Sequence, residues 1–336
     1  MTDAAAGQRH LARAMDGYLA TQLVYVAAKL GIADVLADGP RSAAQIASAV
    51  GVEASPLARV LRGLAAEGIL DEVDGGRFAL APPGEALAAL RGQVVARGEV
   101  YYRAAAGLLD ALHAGDTAFE RVYGERFFDH LAKDADAEAA FNASMAARAD
   151  REARDVVAAY DFGRLRRLVD VGGGGSGVLL TAILRATPAL RGVLMDRPAA
   201  IATARERLAA AGLAERAECV AGDFFAAVPP GADAYLLSRV IHDWDDRDAV
   251  RILRRCRAAM PVTARLLLVE AVLPERARDA PEAIRMDLHM LLLFGAARER
   301  TETEYRRLLA AAGLDLRQVV PTTSPANLGV IEAFPA

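Results

Sequence analysis

Cysteine is scarce in this 336-residue chain: Cys219 and Cys256 are the only two, they lie in different segments, and they offer no disulfide framework. Lysine is scarcer than its partner arginine, with only Lys29 and Lys133, which reads as coding bias and not as function. There is one tryptophan, Trp244. No run of 18 apolar residues occurs, which excludes an ordinary membrane-spanning helix. The opening MTDAAAGQRH lacks a basic stretch followed by an apolar one, so no secretory leader is expected and a cytoplasmic location is. A basic excess is missing too. The net charge is −4, which argues against nucleic acid or an anionic membrane as partner. What is present is apolar: 54% hydrophobic against 25% charged residues, enough for a sizeable core.

The first hundred residues alternate helix signals with turns. Leu19, Leu23, Val26, Ala27 and Leu30 recur at three- and four-residue steps. Ser42 is placed to cap a helix that Gly51 ends, and Pro56 sits in the first turn of the next. DGG at 74–76 separates short strands at about 69–73 and 77–80. Helix, turn, helix and wing predict a winged helix. Such a unit often reads DNA, but residues 1–100 hold nine Lys/Arg against eleven Asp/Glu, and the would-be recognition helix shows only Arg59 and Arg62. Phosphate affinity needs clustered positive charge, so the apolar first helices point instead to a dimerisation or lid module. The expected organisation is a winged-helix dimerisation domain over 1–100, a helical connector over 101–160 and a catalytic domain over 161–336.

From 166 strands alternate with helices: RRLVDVGGGGSGVLLTAILRA, RGVLMDRP, IATARERLAAAGL, AECVAGDFF, DAYLLSRVIH, DRDAVRILRRCRAAM, ARLLLVEAVLP. This predicts an α/β fold with a doubly wound, mainly parallel Rossmann-like sheet. LDLRQVV and NLGVIEAF suit an antiparallel hairpin at its edge.

Gly172, Gly174 and Gly177 form G-x-G-x-x-G between a strand and a helix, where backbone can approach a ligand closely. Asp196 ends the next strand and suits ribose hydroxyls; its alternative is a helix cap. These features indicate a nucleoside ligand without separating NAD from S-adenosylmethionine. GDFF adds Asp223 for an adenine amino group, or as a turn residue, and Phe224 for the ring face. SRVIHDWDD, 238–246, ends the fourth strand, so Gly172, Asp196, Asp223 and His242 are expected to face one crevice. His242 is then a general base, a metal ligand or a histidine beside a helix cap. Adjacent residues of one short loop rarely converge on an ion, so no metal is expected, and Asp245 reads as the cap of the following helix.

In order and spacing, LVDVGGGGSG, MDRP, GDFF, SRVIHDWDD, LLLVEAVLP and RERT, with the N-terminal module, resemble the S-adenosylmethionine-dependent small-molecule O-methyltransferases that carry a winged-helix dimerisation domain. These include caffeic-acid-type, hydroxyindole-type and bacterial polyketide-tailoring enzymes, and the resemblance spans nearly the whole chain. It implies a homodimer that binds S-adenosylmethionine, releases S-adenosylhomocysteine and methylates a phenolic hydroxyl of a small aromatic or polyketide-like metabolite in secondary metabolism such as antibiotic biosynthesis. It implies His242 as base, flanked by Glu270 and Glu299, with Asp243 orienting the base or contacting cofactor. Cofactor contacts fall on Gly172, Gly174, Asp196, Arg197, Asp223, Phe224 and Ser238. Ser238 stands where plant relatives often have lysine, and FGAAR before Glu299 replaces paired glycines. Glu270 otherwise reads as a strand-end residue and Glu299 as part of the solvated run RERTETE.

Phe141, Met145, Met286, His289 and Met290 are candidate acceptor-lining residues, because Met and Phe suit a flat aromatic ring. Core packing is the competing reading for each. Three other readings stay open: a fold relative that binds S-adenosylmethionine but hydroxylates or decarboxylates, a winged-helix regulator that senses a metabolite, and an NAD dehydrogenase.

Overall fold

Ser42 takes an extended backbone and accepts the Gln45 N–H, while its own N–H donates to Gln45 Oε1 at 2.8 Å. This reciprocal box starts the helix Ala43–Val50, and left-handed Gly51 at φ 75° stops it. The helix Ala54–Ala66 follows and buries Leu57, Leu61 and Leu64, its 3.6-residue stripe. Strands β1 (Arg41–Ser42), β2 (Leu70–Val73) and β3 (Arg77–Leu80) pair antiparallel in the order β1-β3-β2. Leu70 and Phe78 close this core over Ile46, with Ala27, Ala28 and Ile32 from the preceding helices. The winged helix is therefore present. Leu11, Met15, Tyr18 and Leu19 on the first two helices remain exposed.

The computed structural model describes residues 3–295, 297–324 and 327–336, and the chain divides into two units, Met1–Ser144 and Met145–Ala336. The second contains a sheet of β4 (Arg167–Val171), β5 (Arg191–Asp196), β6 (Ala217–Ala221), β7 (Ala234–Ser238), β8 (Arg265–Leu273), β9 (Arg300–Thr301), β10 (Leu314–Pro321) and β11 (Leu328–Pro335). The spatial order is β10-β11-β8-β7-β4-β5-β6, with β9 pairing β8. β4 to β8 run parallel, and β10 and β11 add the antiparallel hairpin at the edge.

RLVDV, AYLLS and LLLV are almost continuously apolar because helices cover both sheet faces. Ile252, Leu253, Cys256, Tyr305 and Leu309 pack on one face. Val156, Leu180, Ile183, Ile201 and Leu208 pack on the other. β4 lies between β5 and β7, so strand order reverses there, and in sheets of this kind the carboxyl ends of the strands at such a reversal are where ligands bind. Among the described residues, no helix is long and apolar enough to cross a membrane.

Candidate active site

The loop after β4 is built for close approach. Gly172 and Gly174 have φ of 74° and 70°, which L side chains rarely adopt. A Cβ on Gly172 would stand 3.0 Å from Val240 Cγ2 and 3.5 Å from the Phe224 ring. Gly177, at φ 53°, precedes the helix Val178–Ala186, and a Cβ there would press on Leu194. At the end of β5, Asp196 accepts the Gly174 N–H at 2.8 Å and the Arg197 N–H at 2.6 Å. Each oxygen keeps a further lone pair for a ligand hydroxyl.

Arg197 is exposed. Asp223 is exposed too and accepts the Phe225 N–H at 2.8 Å. Phe224 is half-buried and meets Trp244 edge-on. Ser238 ends β7, half-buried. The structure thus gathers Gly172, Phe224 and Val240 around a cradle that a methyl group would fill, with Asp196 tied to the glycine loop. The close backbone approach at Gly172 and the acceptor oxygens of Asp196 fit a nucleoside with its ribose hydroxyls. The residues predicted for the cofactor also leave out Asp170. Its carboxyl is buried, Oδ1 has no partner among the described residues, and burial with the Asp196 charge pushes its pKa up to about 7.

His242 sits on a single turn, Ile241–Asp243, after β7 and is 9% exposed. Its Nδ1–H donates to Glu270 Oε2 at 2.7 Å. Glu270 lies within β8, fully buried, so a surface strand-end role is excluded. Its Oε1 accepts the N–H groups of Val240 and Ile241 at 3.0 and 2.7 Å. Nε2 is left to the other side, 3.3 Å from Asp243 Oδ1. Glu299 is also buried, at 4% exposure, so it does not belong to a solvated charge run. One ligand-type atom each of His242, Glu270 and Glu299 lie within 4.8 Å of one another. Three such groups resemble a metal set, but both oxygens of Glu270 are already engaged by donors.

Burial alone would favour a neutral His242. The Glu270 carboxylate outweighs it, with Glu299 and Asp243 adding, and lifts the pKa to about 9. Burial opposes the Glu270 anion, but His242, Arg239 and the Ile241 N–H hold its pKa below the usual range. For Glu299 burial prevails over the attraction of His242 and Arg239, and its pKa is raised.

Two arginines escaped the sequence reading. Arg300 is fully buried and donates to the Ile241 carbonyl at 3.0 Å, the Trp244 carbonyl at 2.7 Å and Asp246 Oδ1. It locks the His242 turn from below, and the Arg298 N–H bonds the His242 carbonyl at 2.8 Å. Arg239 bridges Glu152 and Glu299. Position in RERT and SRVIHDWDD was the only sequence signal for either. Asp245 caps the helix Asp246–Ala259 through the Asp248 N–H.

The acceptor-lining candidates divide. Met286, His289 and Met290 are partly buried on the helix Pro281–Phe294, whose Asp287 accepts the Glu299 N–H at 2.8 Å. Met145 is exposed. Phe141 packs edge-on to Phe127 and Phe128 within the N-terminal unit.

Comparison with known proteins gives the family. The family model of the O-methyltransferase domain matches residues 105–315, and that of the O-methyltransferase dimerisation domain matches 12–89. A phenazine O-methyltransferase of Lysobacter antibioticus is 43% identical over 97% of this chain and 95% of its own. The 8-amino-8-demethylriboflavin N,N-dimethyltransferase of Streptomyces davaonensis is 39% identical over 89% of this chain and 88% of its own. The crystal structure of a methyltransferase in calicheamicin biosynthesis, in its SAH-bound form, superposes with a TM-score of 0.83 at 36% identity over 100% of both chains.

Proposed function

This chain belongs to the S-adenosylmethionine-dependent O-methyltransferases with a dedicated dimerisation domain, and we propose that it methylates a phenolic hydroxyl of a small aromatic or polyketide-like metabolite, with His242 as general base. As a member it is a homodimeric methyltransferase of the secondary-metabolite type. The relatives' own names supply the acceptor class: one acts on a phenazine, another on an aminoflavin. Bound S-adenosylmethionine supplies an electrophilic methyl group. The glycine loop and Phe224 would hold its nucleoside, with Asp196 taking the ribose hydroxyls and Asp223, Arg197 and Ser238 lining the same crevice.

The His242–Glu270 hydrogen bond carries the reading. Glu270 fixes the ring, claims Nδ1–H and leaves Nε2 to receive a proton from the acceptor hydroxyl. A phenol has a pKa of about 10, so an ordinary histidine near 6.5 would leave a gap worth about 4.8 kcal/mol for full proton transfer. With His242 at about 9, the gap shrinks to about one unit, or about 1.4 kcal/mol. Glu270 stabilises the imidazolium that forms, and Asp243 faces Nε2. Nitrogen of an aromatic amine needs no prior deprotonation, so a histidine tuned toward phenol favours oxygen as acceptor. The remaining catalysis is orientation of two bound reactants. Met286, His289 and Met290 are assigned to the acceptor, on the helix tied to Glu299 through Asp287.

Purified enzyme given S-adenosylmethionine and a panel of phenolic and aromatic-amine metabolites should form products heavier by CH₂, with the phenols preferred. His242→Ala should lower turnover by about 10²–10⁴ while still binding S-adenosylhomocysteine. Unchanged turnover in that variant ends the base assignment. A product gaining oxygen or losing CO₂ ends the methyl-transfer reading.

A further inference from the structure

Arg239 occupies the left-handed backbone region at φ 56°, although it is not glycine. Such a residue persists only where its surroundings over-determine it, and it marks functional sites more often than plain loops. Here the reversal does two things at once. It turns the consecutive N–H groups of Val240 and Ile241 onto Glu270 Oε1. It also delivers the Arg239 guanidinium between two carboxylates from distant parts of the chain. Nη2 and Nε donate to Glu152 at 2.7 and 3.3 Å, and Nη1 donates to Glu299 Oε1 at 3.1 Å. Only a planar fork meets two carboxylates in this way. The other oxygen of Glu299 has no partner among the described residues.

We propose that Arg239 is a positioning residue: by tying Glu299 to Glu152 of the helix Ala135–Ala159, it holds Glu299 beside His242 with the orientation and charge the base needs. The inference rests on the reading of His242 as base. His242 is faced by Glu270 from β8, Glu299 from the segment before β9 and Asp243 from its own turn. Arg239 is faced by Glu152, Glu299 and Glu270, and Arg148 pairs with Glu152 from the same helix. Tyr305, from the helix Glu302–Ala311, is fully buried, and burial with the charges of Glu270 and Glu299 raises its pKa and keeps it neutral. Removing the Arg239 charge raises the proton affinity of every group it faces.

The test uses Arg239→Asn, which tolerates a left-handed backbone without the charge, Arg239→Lys, which keeps the charge without the fork, and Glu152→Gln. In Arg239→Asn, kcat should fall about 10- to 100-fold, with S-adenosylhomocysteine affinity kept within about threefold. The acid limb of its kcat/KM profile should move to lower pH by about half a unit or more, because Glu299 without Arg239 takes up a proton more readily and supports the imidazolium less. Arg239→Lys should restore the limb but only part of kcat, and Glu152→Gln should lower kcat in the same direction by less. Wild-type kcat and limb in Arg239→Asn overturn the proposal. So does a loss of kcat that tracks lost S-adenosylhomocysteine binding with the limb unmoved, because that is a structural effect. If Arg239→Asn does not fold, full wild-type kcat in Arg239→Lys is the overturning result. His242→Ala run alongside separates the failures: an active His242→Ala sinks the base itself, whereas an inactive one beside a normal Arg239→Asn sinks only the role of Arg239.

Discussion

Nδ1 of His242 and Oε2 of Glu270 lie 2.7 Å apart, and the carboxylate is fully buried. That one relationship selects the ring tautomer, fixes its plane and supplies most of the charge that opposes burial. It also makes the site sensitive to pH in two opposite ways.

A base must be neutral to work. With a pKa of about 9 for His242, kcat/KM should rise with pH and level off near that value. A positively charged cofactor in the crevice disfavours imidazolium, so the limb in kcat should lie at lower pH than the limb in kcat/KM. Stability runs the other way. The folded pKa lies above the unfolded value of about 6.5, so the contribution of protonated His242 is complete below that pH and is lost as pH rises through about 9. The difference in Tm between wild type and His242→Gln should shrink across this window. A pH-independent kcat/KM between 6 and 9, on the order of these limits, would contradict the assignment.

Glu270→Ala leaves two backbone N–H groups and an imidazolium buried without their acceptor. It should cost about 3–5 kcal/mol in urea unfolding. Glu270→Gln keeps the volume and removes the charge, so the His242 pKa drops and the acid limb moves to lower pH while kcat falls. A limb that stays in place in Glu270→Gln argues against Glu270 as the source of the high pKa.

Gly172→Ala puts a methyl group 3.0 Å from Val240 Cγ2 on a backbone of φ 74°. S-adenosylhomocysteine affinity measured by calorimetry should drop about tenfold or more, as close backbone approach is lost. Gly212, at φ 73° with nothing within 4 Å, provides the control: Gly212→Ala carries similar backbone strain and should bind normally.

Ser42→Ala removes one half of the capping box and should lower stability by about 0.5–2 kcal/mol without changing kcat. Its unfolding curve, read against that of Gln45→Ala, reports the reciprocal bond.

Local physics explains how much of this was legible beforehand. Ser42 and Asp245 act on N–H groups three residues away. Gly51 and Gly172 serve backbone angles that belong to those residues alone. The alternation of apolar strands and amphipathic helices follows from burial on both sheet faces. None of this needs a distant partner, and the α/β order, the edge hairpin and the winged helix all came through. RERTETE shows the limit. As text it is a solvated charge run, and Glu302 is indeed exposed, yet Glu299 and Arg300 are buried. What receives Arg300 is the pair of carbonyls at Ile241 and Trp244, nearly 60 residues earlier, and what receives Glu299 is the Arg239 guanidinium.

The sequence by itself determined the strand ends on which Gly172, Asp196, Asp223 and His242 fall, because period and punctuation are local properties of the chain. Only the tertiary structure decided that Arg239 spans 87 residues to reach Glu152, that Glu299 stands within 4.8 Å of the His242 and Glu270 ligand atoms, and that burial lifts Asp170 to about 7. Charge pairing and desolvation depend on which segments the closed sheet brings together, and spacing along the chain does not encode that.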